Sequence, residues 1–263
     1  MMMNVIRAEL LRLVRRRTVA IAAAGCLAFA VLATTTVFST AQEAGARSRR
    51  AGAALADLAG TGGGTEAFAV GAAFTGFFVF VTVIALMAGE FSGGTFRALL
   101  LRNPRRLRLI GGKLAAVLLV AAGAVALAEA ASFAMSLVVA PTKDVSTADW
   151  FSLASLGAGL RDYATVLAGV AGWAVFATTL AVVFRSVPIA LAVGFAWAGP
   201  FENITVDSWS GGYRVFPGQV LASLIQGGTD ELGLGRAALT AAVYAGVAAI
   251  VALGLVSRRD ITA

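Results

Sequence analysis

Residues 114–140 read LAAVLLVAAGAVALAEAASFAMSLVVA, with Lys113 before them and Pro141 after them, and the only charge among them is Glu129. An α-helix crosses the ~30 Å hydrocarbon core of a bilayer with about 20 predominantly apolar residues. This stretch is longer than that, enough to tilt or to extend past the membrane. The short alternating segments of a membrane barrel are missing from it and from the rest of the chain. The decisive reading is therefore a membrane-crossing helix.

Working outward, the same kind of segment recurs at about 18–39, 67–88, 163–184, 187–201 and 237–256. The 263-residue chain is 59% hydrophobic and only 13% charged, where a soluble domain carries roughly 25% charged residues. The expected fold is an all-α integral membrane protein. It is a six-transmembrane-helix bundle forming a single transmembrane domain over residues 1–263, with no nucleotide-binding domain. The fifth span, opened by Pro188 and closed by Pro200, covers only about 22 Å at the helical rise. It is short enough to re-enter rather than cross. A mildly apolar patch, Phe216–Ile225, is led by Pro217 and reads either as a re-entrant helix before span six or as a surface segment. Gly169, Gly172, Ala241 and Ala245 offer small faces for close helix contact.

Before the first span, Ile6, Leu10, Leu13 and Val14 fall on one helical face of Asn4–Arg17, with Arg12, Arg15 and Arg16 turned elsewhere. That pattern predicts a short helix lying in the interface. The basic start and Ser39-Thr40-Ala41 also resemble a signal peptide, but the apolar run exceeds the usual ~7–15 residues and further spans follow. Placing the N-terminus, residues 89–113, Arg185–Ser186 and the C-terminus on one side gives that side 14 of the 21 basic residues and 3 of the 14 acidic ones. A bias of that kind predicts that this side, with both termini, faces the cytoplasm.

The net charge of +7 does not point to nucleic acid, because the basic residues flank apolar spans at the level of lipid headgroups. Arginine far outnumbers lysine and alanine is abundant, as in GC-rich bacterial genomes, so a bacterial plasma membrane is expected. The lone Cys26 permits no internal disulfide. The absence of histidine excludes histidine-dependent zinc, haem and proton-relay chemistry. Gly111-Gly112-Lys113 lacks the earlier glycine of a phosphate loop and is followed by Leu114, so this chain is expected to bind no ATP through that route. Glu129 lies inside span three, where an ionisable group is costly. It either lines a path or packs against Ser132 or Thr178.

The sharpest motif joins spans two and three: Gly89-Glu90-Phe91-Ser92-Gly93-Gly94-Thr95-Phe96-Arg97-Ala98-Leu99-Leu100-Leu101-Arg102-Asn103-Pro104-Arg105-Arg106. Thr95 can cap a short helix in which Leu99 and Leu100 pack while Arg97 and Arg102 face outward. Pro104 disfavours helical geometry at Asn103 and ends it. The product is a short rigid helix fixed between two membrane-crossing ones.

This stretch resembles that of the ABC-type-2 permeases, the integral-membrane subunits of ABC exporters. The matching positions are Gly89, Glu90, Gly94, Thr95, Arg97, Leu99, Leu100, Pro104 and Arg106, with Lys113 entering span three. The Arg259-Asp260 ending is also similar, and Asn103 before the proline departs from the family pattern. The resemblance implies a permease subunit that is not itself an enzyme and binds no cofactor. It would pair with a second permease, identical or homologous, and with two ATPase subunits that carry ATP-Mg. The helix after span two would be the coupling helix docked on an ATPase, with Glu90 at its membrane joint and Arg97 at the ATPase surface. The cargo would be an amphipathic compound moved outward. Two other classes remain open from the residues alone: an ion-gradient-driven secondary transporter, and a non-transporting membrane scaffold.

Overall fold

The computed structural model of the chain describes residues 2–41, 55–72, 75–102 and 105–258. Among the described residues there is no strand, and twelve α-helices follow one another. They are α1 (Met2–Leu13), α2 (Arg16–Thr40), α3 (Leu55–Ala59), α4 (Gly63–Ala72), α5 (Thr75–Ser92), α6 (Thr95–Arg102), α7 (Arg106–Val139), α8 (Leu153–Phe184), α9 (Val187–Ala196), α10 (Glu202–Ser208), α11 (Pro217–Ile225) and α12 (Leu234–Arg258). Among the described residues, six helical stretches are long and apolar enough to cross a membrane: Arg16–Thr40, Thr75–Ser92, Arg106–Lys143, Leu153–Phe184, Val187–Ser208 and Leu234–Ser257. The architecture is that of a multi-pass membrane protein. Leu239, Val243, Val247 and Ile250 of α12 and Leu156 and Leu160 of α8 are exposed. Lipid, not protein, is the natural solvent for such faces.

Three apolar clusters organise the bundle. At one end, which we call the inner end, Phe96 of α6, Leu109 and Ile110 of α7, Val182 of α8 and Val256 of α12 are buried together, with Val5 of α1 against them. At the opposite, outer end, Val37 and Phe38 of α2 meet Leu58 of α3, Ala67 of α4, Ala140 and Trp150. The main core lies between, built from Phe80, Val83, Ile84 and Met87 of α5, Val166, Val170 and Trp173 of α8, and Leu221 and Ile225 of α11. α8 is the hub: it packs against α5, α12, α11, α7, α4 and α9.

Several boundaries differ from the sequence expectation, each for a local reason. The second span, expected over 67–88, is helical wherever it is described: Gly63–Ala72 forms α4 and Thr75–Ser92 forms α5, with the junction at 73–74 outside the described residues. α4 is built from small residues that seat it among α2, α7 and α8. A Cβ on Gly71 would sit 2.6 Å from Ala33 Cβ, and one on Gly64 would sit 2.6 Å from the Phe133 ring. Between the first two expected spans, Leu55–Ala59 and the start of α4 are helical. The third span begins at Arg106, earlier than 114, and the fourth at Leu153, earlier than 163. Ser152 caps that fourth helix, its hydroxyl accepting from the Ser155 amide at 3.1 Å. Trp150 is buried and donates through Nε1 to Leu58 O at 3.0 Å.

The fifth span does not end at Pro200. A π-helical segment, Trp197–Phe201, absorbs the proline and carries the helix into α10. The wider turn removes the need for the amide that proline lacks. The 22-residue stretch Val187–Ser208 is about 33 Å long at the helical rise, sufficient for the core. The Arg185–Ser186 connection stands as expected, with Arg185 in the left-handed region at φ 51° as the cap of α8.

The apolar patch 216–225 is α11, buried along α8 and α12. Gly169 and Gly172 are where α8 lets it in, since a Cβ at either would lie 2.2 Å from Ile225 or 2.4 Å from Leu221. The N-terminus of α11 is held by Glu202, which is completely buried. Its carboxylate accepts from the amides of Gly218 at 3.2 Å and Gln219 at 3.1 Å. A carboxylate at a helix N-terminus answers both the orphan amides and the helix dipole. A Cβ on Gly218 would sit 2.4 Å from Glu202 Oε2. Gly218→Ala is therefore expected to lower the thermal midpoint in detergent. Glu202→Ala should cost about 3 kcal/mol, because both amides lose a charged acceptor in a buried site. A midpoint unchanged in both variants would contradict this account of α11.

Candidate functional site

The motif between α5 and α7 forms one compact device at the inner end. Gly94 adopts φ +69°, a conformation that favours glycine. Its carbonyl accepts from the amides of Arg97 at 3.2 Å and Ala98 at 3.4 Å. The cap of α6 therefore falls on Gly94, not on Thr95 as expected. Phe96 is buried and meets Phe91 in a tilted ring pair with centroids 4.4 Å apart. Leu99 and Leu100 pack half-buried beside it, as expected. The opposite face presents Arg97 and Ala98, with Leu101 84% exposed. Gly89 belongs to α5 and faces Val187 at the start of α9. Arg106 donates to Val256 O at 3.1 Å and ties the start of α7 to the end of α12. Pro104, Arg259 and Asp260 lie outside the described residues.

Glu90 is the structural centre of this device. It is 6% exposed, and its Oε1 accepts from Lys113 Nζ at 2.8 Å and from Arg12 Nη1 at 2.7 Å. Lys113, 3% exposed, also pairs with Glu9, and Glu9 lies 3.9 Å from Arg12. Two carboxylates and two cations thus alternate, drawn from α1, α5 and α7. Burying any one of these charges alone is costly, so the four are stable there only together. α1 approaches closely enough to join because α7 offers Gly112: a Cβ there would lie 2.7 Å from Val5. The predicted apolar face of α1 is therefore only part of its docking surface. Val5 and Glu9 face the bundle, whereas Val14 is 54% exposed. Sequence reasoning turned Arg12 away from the apolar face of this helix and did not single out Glu9. The signal that could have found them is their i,i+3 spacing on the same helix, opposite a lysine at the start of an apolar span.

Glu129 faces α8, with its Oε1 3.4 Å from where a Gly159 Cβ would sit. The two partners weighed for it are engaged elsewhere: Ser132 bonds Thr34 at 2.7 Å and Thr178 donates to Ala174 O. Near it, Thr65 donates to Asp162 at 2.7 Å. Glu66 of α4 has its carboxyl held above the usual range by burial first, then by Asp162 and Asp57. Among the described residues no group of three or more His, Cys, Asp or Glu side chains is disposed to hold a metal ion.

A family described as a protein of unknown function (DUF2705) matches residues 53–262. The chain belongs to the DUF2705 family. No curated protein matches it. The DUF2705 match contains Glu90, α6 and Lys113, while Glu9 and Arg12 precede it. The ion cluster therefore joins the matched region to the preceding helix.

In this DUF2705 chain, Glu90→Ala should cost about 3–5 kcal/mol, since it leaves Lys113 and Arg12 short of their shared acceptor. The double variant Glu90→Leu with Lys113→Met should cost less than the sum of the single changes, a coupling that a double-mutant cycle measures. Additive losses would contradict the cluster.

Proposed function

We propose that the chain is the permease subunit of an ATP-driven exporter of the ABC-type-2 kind, with α6 as its coupling helix. The single observation that supports this most is the two-faced character of α6. One face is fixed on α7, α8 and α12 through Phe96, Leu99 and Leu100. The other offers Arg97 and the exposed Leu101. A helix so seated passes a push directly to three membrane-crossing helices, and the Glu90 cluster extends the push to α1. Arg97 is of a residue type enriched among interface hot spots, and Leu101 adds exposed apolar surface on the same helix.

In this reading two permease chains, identical or homologous, sit on two ATPase subunits that bind ATP-Mg. This chain is no enzyme and binds no cofactor. It lies in a bacterial plasma membrane with both termini cytoplasmic, in keeping with the excess of arginine at the inner end. α1 lies in the interface, and α11 is a re-entrant helix that returns from mid-depth alongside α8. The cargo is an amphipathic molecule, consistent with a bundle whose interior is mainly apolar.

A second reading is an ion-gradient-driven transporter. The π-helical distortion at Trp197–Phe201 and the short α11 with a carboxylate at its N-terminus favour it, because secondary transporters build ion sites where helices depart from regular geometry. Glu202, however, already has two amide donors, which assigns it a capping role.

Co-expression with an ATPase encoded beside this chain separates the two readings. The expected result is a stable complex whose ATP hydrolysis depends on this chain. Leu101→Asp and Arg97→Ala should each lower that hydrolysis about tenfold, the scale of a lost interface hot spot, with membrane insertion intact. Cysteines replacing Ser92 and Thr142 in a Cys26-free background should label from opposite sides, with Ser92 cytoplasmic. Transport without any ATPase, or outward labelling at 92, would overturn the reading.

A further inference from the structure

Between α2, α5 and α7 lies a cavity of about 400 Å³, within the range of sites that hold small molecules. Its wall is hydrocarbon except for the hydroxyls of Thr75 and Thr82 and the thiol of Cys26. Such a wall gives water almost no hydrogen-bond partners, so the natural occupant is apolar. The shape says more. The cavity runs from Leu86 to Thr75 along α5 and from Val117 to Ala128 along α7. Eleven residues of helix are about 16 Å, close to half of the ~30 Å hydrocarbon core. The lining continues past the edge-to-face pair Phe29 and Phe78, whose centroids are 5.8 Å apart, to Phe68 of α4, a depth that suits one acyl chain.

The inner end of the cavity is charged. Leu13, Leu86 and Val117 line it, and the same three residues border the Glu9–Arg12–Glu90–Lys113 cluster. Glu9, Glu90 and Lys113 are buried or half-buried, whereas Arg12 and the following Arg15, Arg16 and Arg17 are exposed at the mouth. Four exposed arginines within six residues, at headgroup level, complement a phosphate.

We propose that this cavity binds an anionic phospholipid from the leaflet in which α1 lies, with one acyl chain between α2, α5 and α7 and its phosphate on the arginines that join α1 to α2. The inference holds whichever partner drives the protein. The slot exists because α5 packs on α8 and α9 while α2 packs on α7 and α4, leaving the two apart.

The test uses the full chain in nanodiscs, with phosphatidylglycerol or phosphatidylcholine carrying a photoactivatable group at mid-chain. Labelled peptides are mapped by mass spectrometry. Phosphatidylglycerol should label residues of the cavity wall, and phosphatidylcholine should do so roughly tenfold less, the selectivity that several surface arginines supply. Gly25→Phe and Ala124→Phe should abolish cavity labelling while leaving the lipid-facing side of α12 labelled. A Cβ on Gly25 meets nothing within 4 Å, so the first of these fills open space. The triple change Arg15→Gln, Arg16→Gln, Arg17→Gln, confined to exposed side chains, should bring the two lipids to equal yield. Equal labelling by both lipids in the unaltered chain overturns the proposal. So does cavity labelling that survives both filling variants, or selectivity that survives the arginine changes.

Discussion

A carboxylate almost out of reach of water cannot stay charged unless cations are brought to it, and Glu90 sets that condition for the inner half of this protein. Its oxygen draws Lys113 from α7 and Arg12 from α1, and Lys113 in turn requires Glu9. Much else follows. Residue 112 has to be small for α1 to reach the cluster. α6, only a short turn away from Glu90, is then held at a fixed height against the ends of α7, α8 and α12. A buried ionic group of this kind is a poor source of net stability but a strong constraint on arrangement.

The outer half is organised differently, by close backbone approach. α4 and α11 both enter the bundle where glycines make room, at Gly64 and Gly71 for α4 and at Gly169 and Gly172 for α11. Both are tied by polar contacts. Thr65 of α4 reaches Asp162 on α8, and the α11 amides reach Glu202. Without water, each of these groups has to find its partner inside the protein. The same layout keeps α2 and α5 apart on the other side and leaves the apolar slot between them.

Much of this was legible in the sequence. The six apolar runs follow from hydropathy alone, because a bilayer demands length and imposes a uniform solvent. The connections at Arg185 and at α6 were also visible, marked by glycine, proline and arginine. What hydropathy hid were the places where a polar residue stays in a helix because a distant one satisfies it. Arg161 and Asp162 looked like the end of a loop, yet Asp162 lies within α8 and is bonded by Thr65. Glu202 looked like the start of a loop, yet it is buried in the continuation of the fifth span. Pro200 looked like a stop, and a π segment carries the helix past it. At the candidate site, Glu90, Arg97, Leu99 and Leu100 were found from the motif, with Lys113 beside it. Glu9 and Arg12 were missed, because their roles depend on α1 folding back onto α7, a contact with no local signature.

The measurement closest to the central claim is hydrogen exchange on the purified chain and on its Glu90→Gln variant, read separately for α1, α6 and α12. If the ion cluster binds α1 and α6 into one inner-end unit, the substitution should raise exchange in α1 and α6 together, leaving α12 near its original protection. Exchange in α1 that does not change, or that changes without α6, would contradict the account.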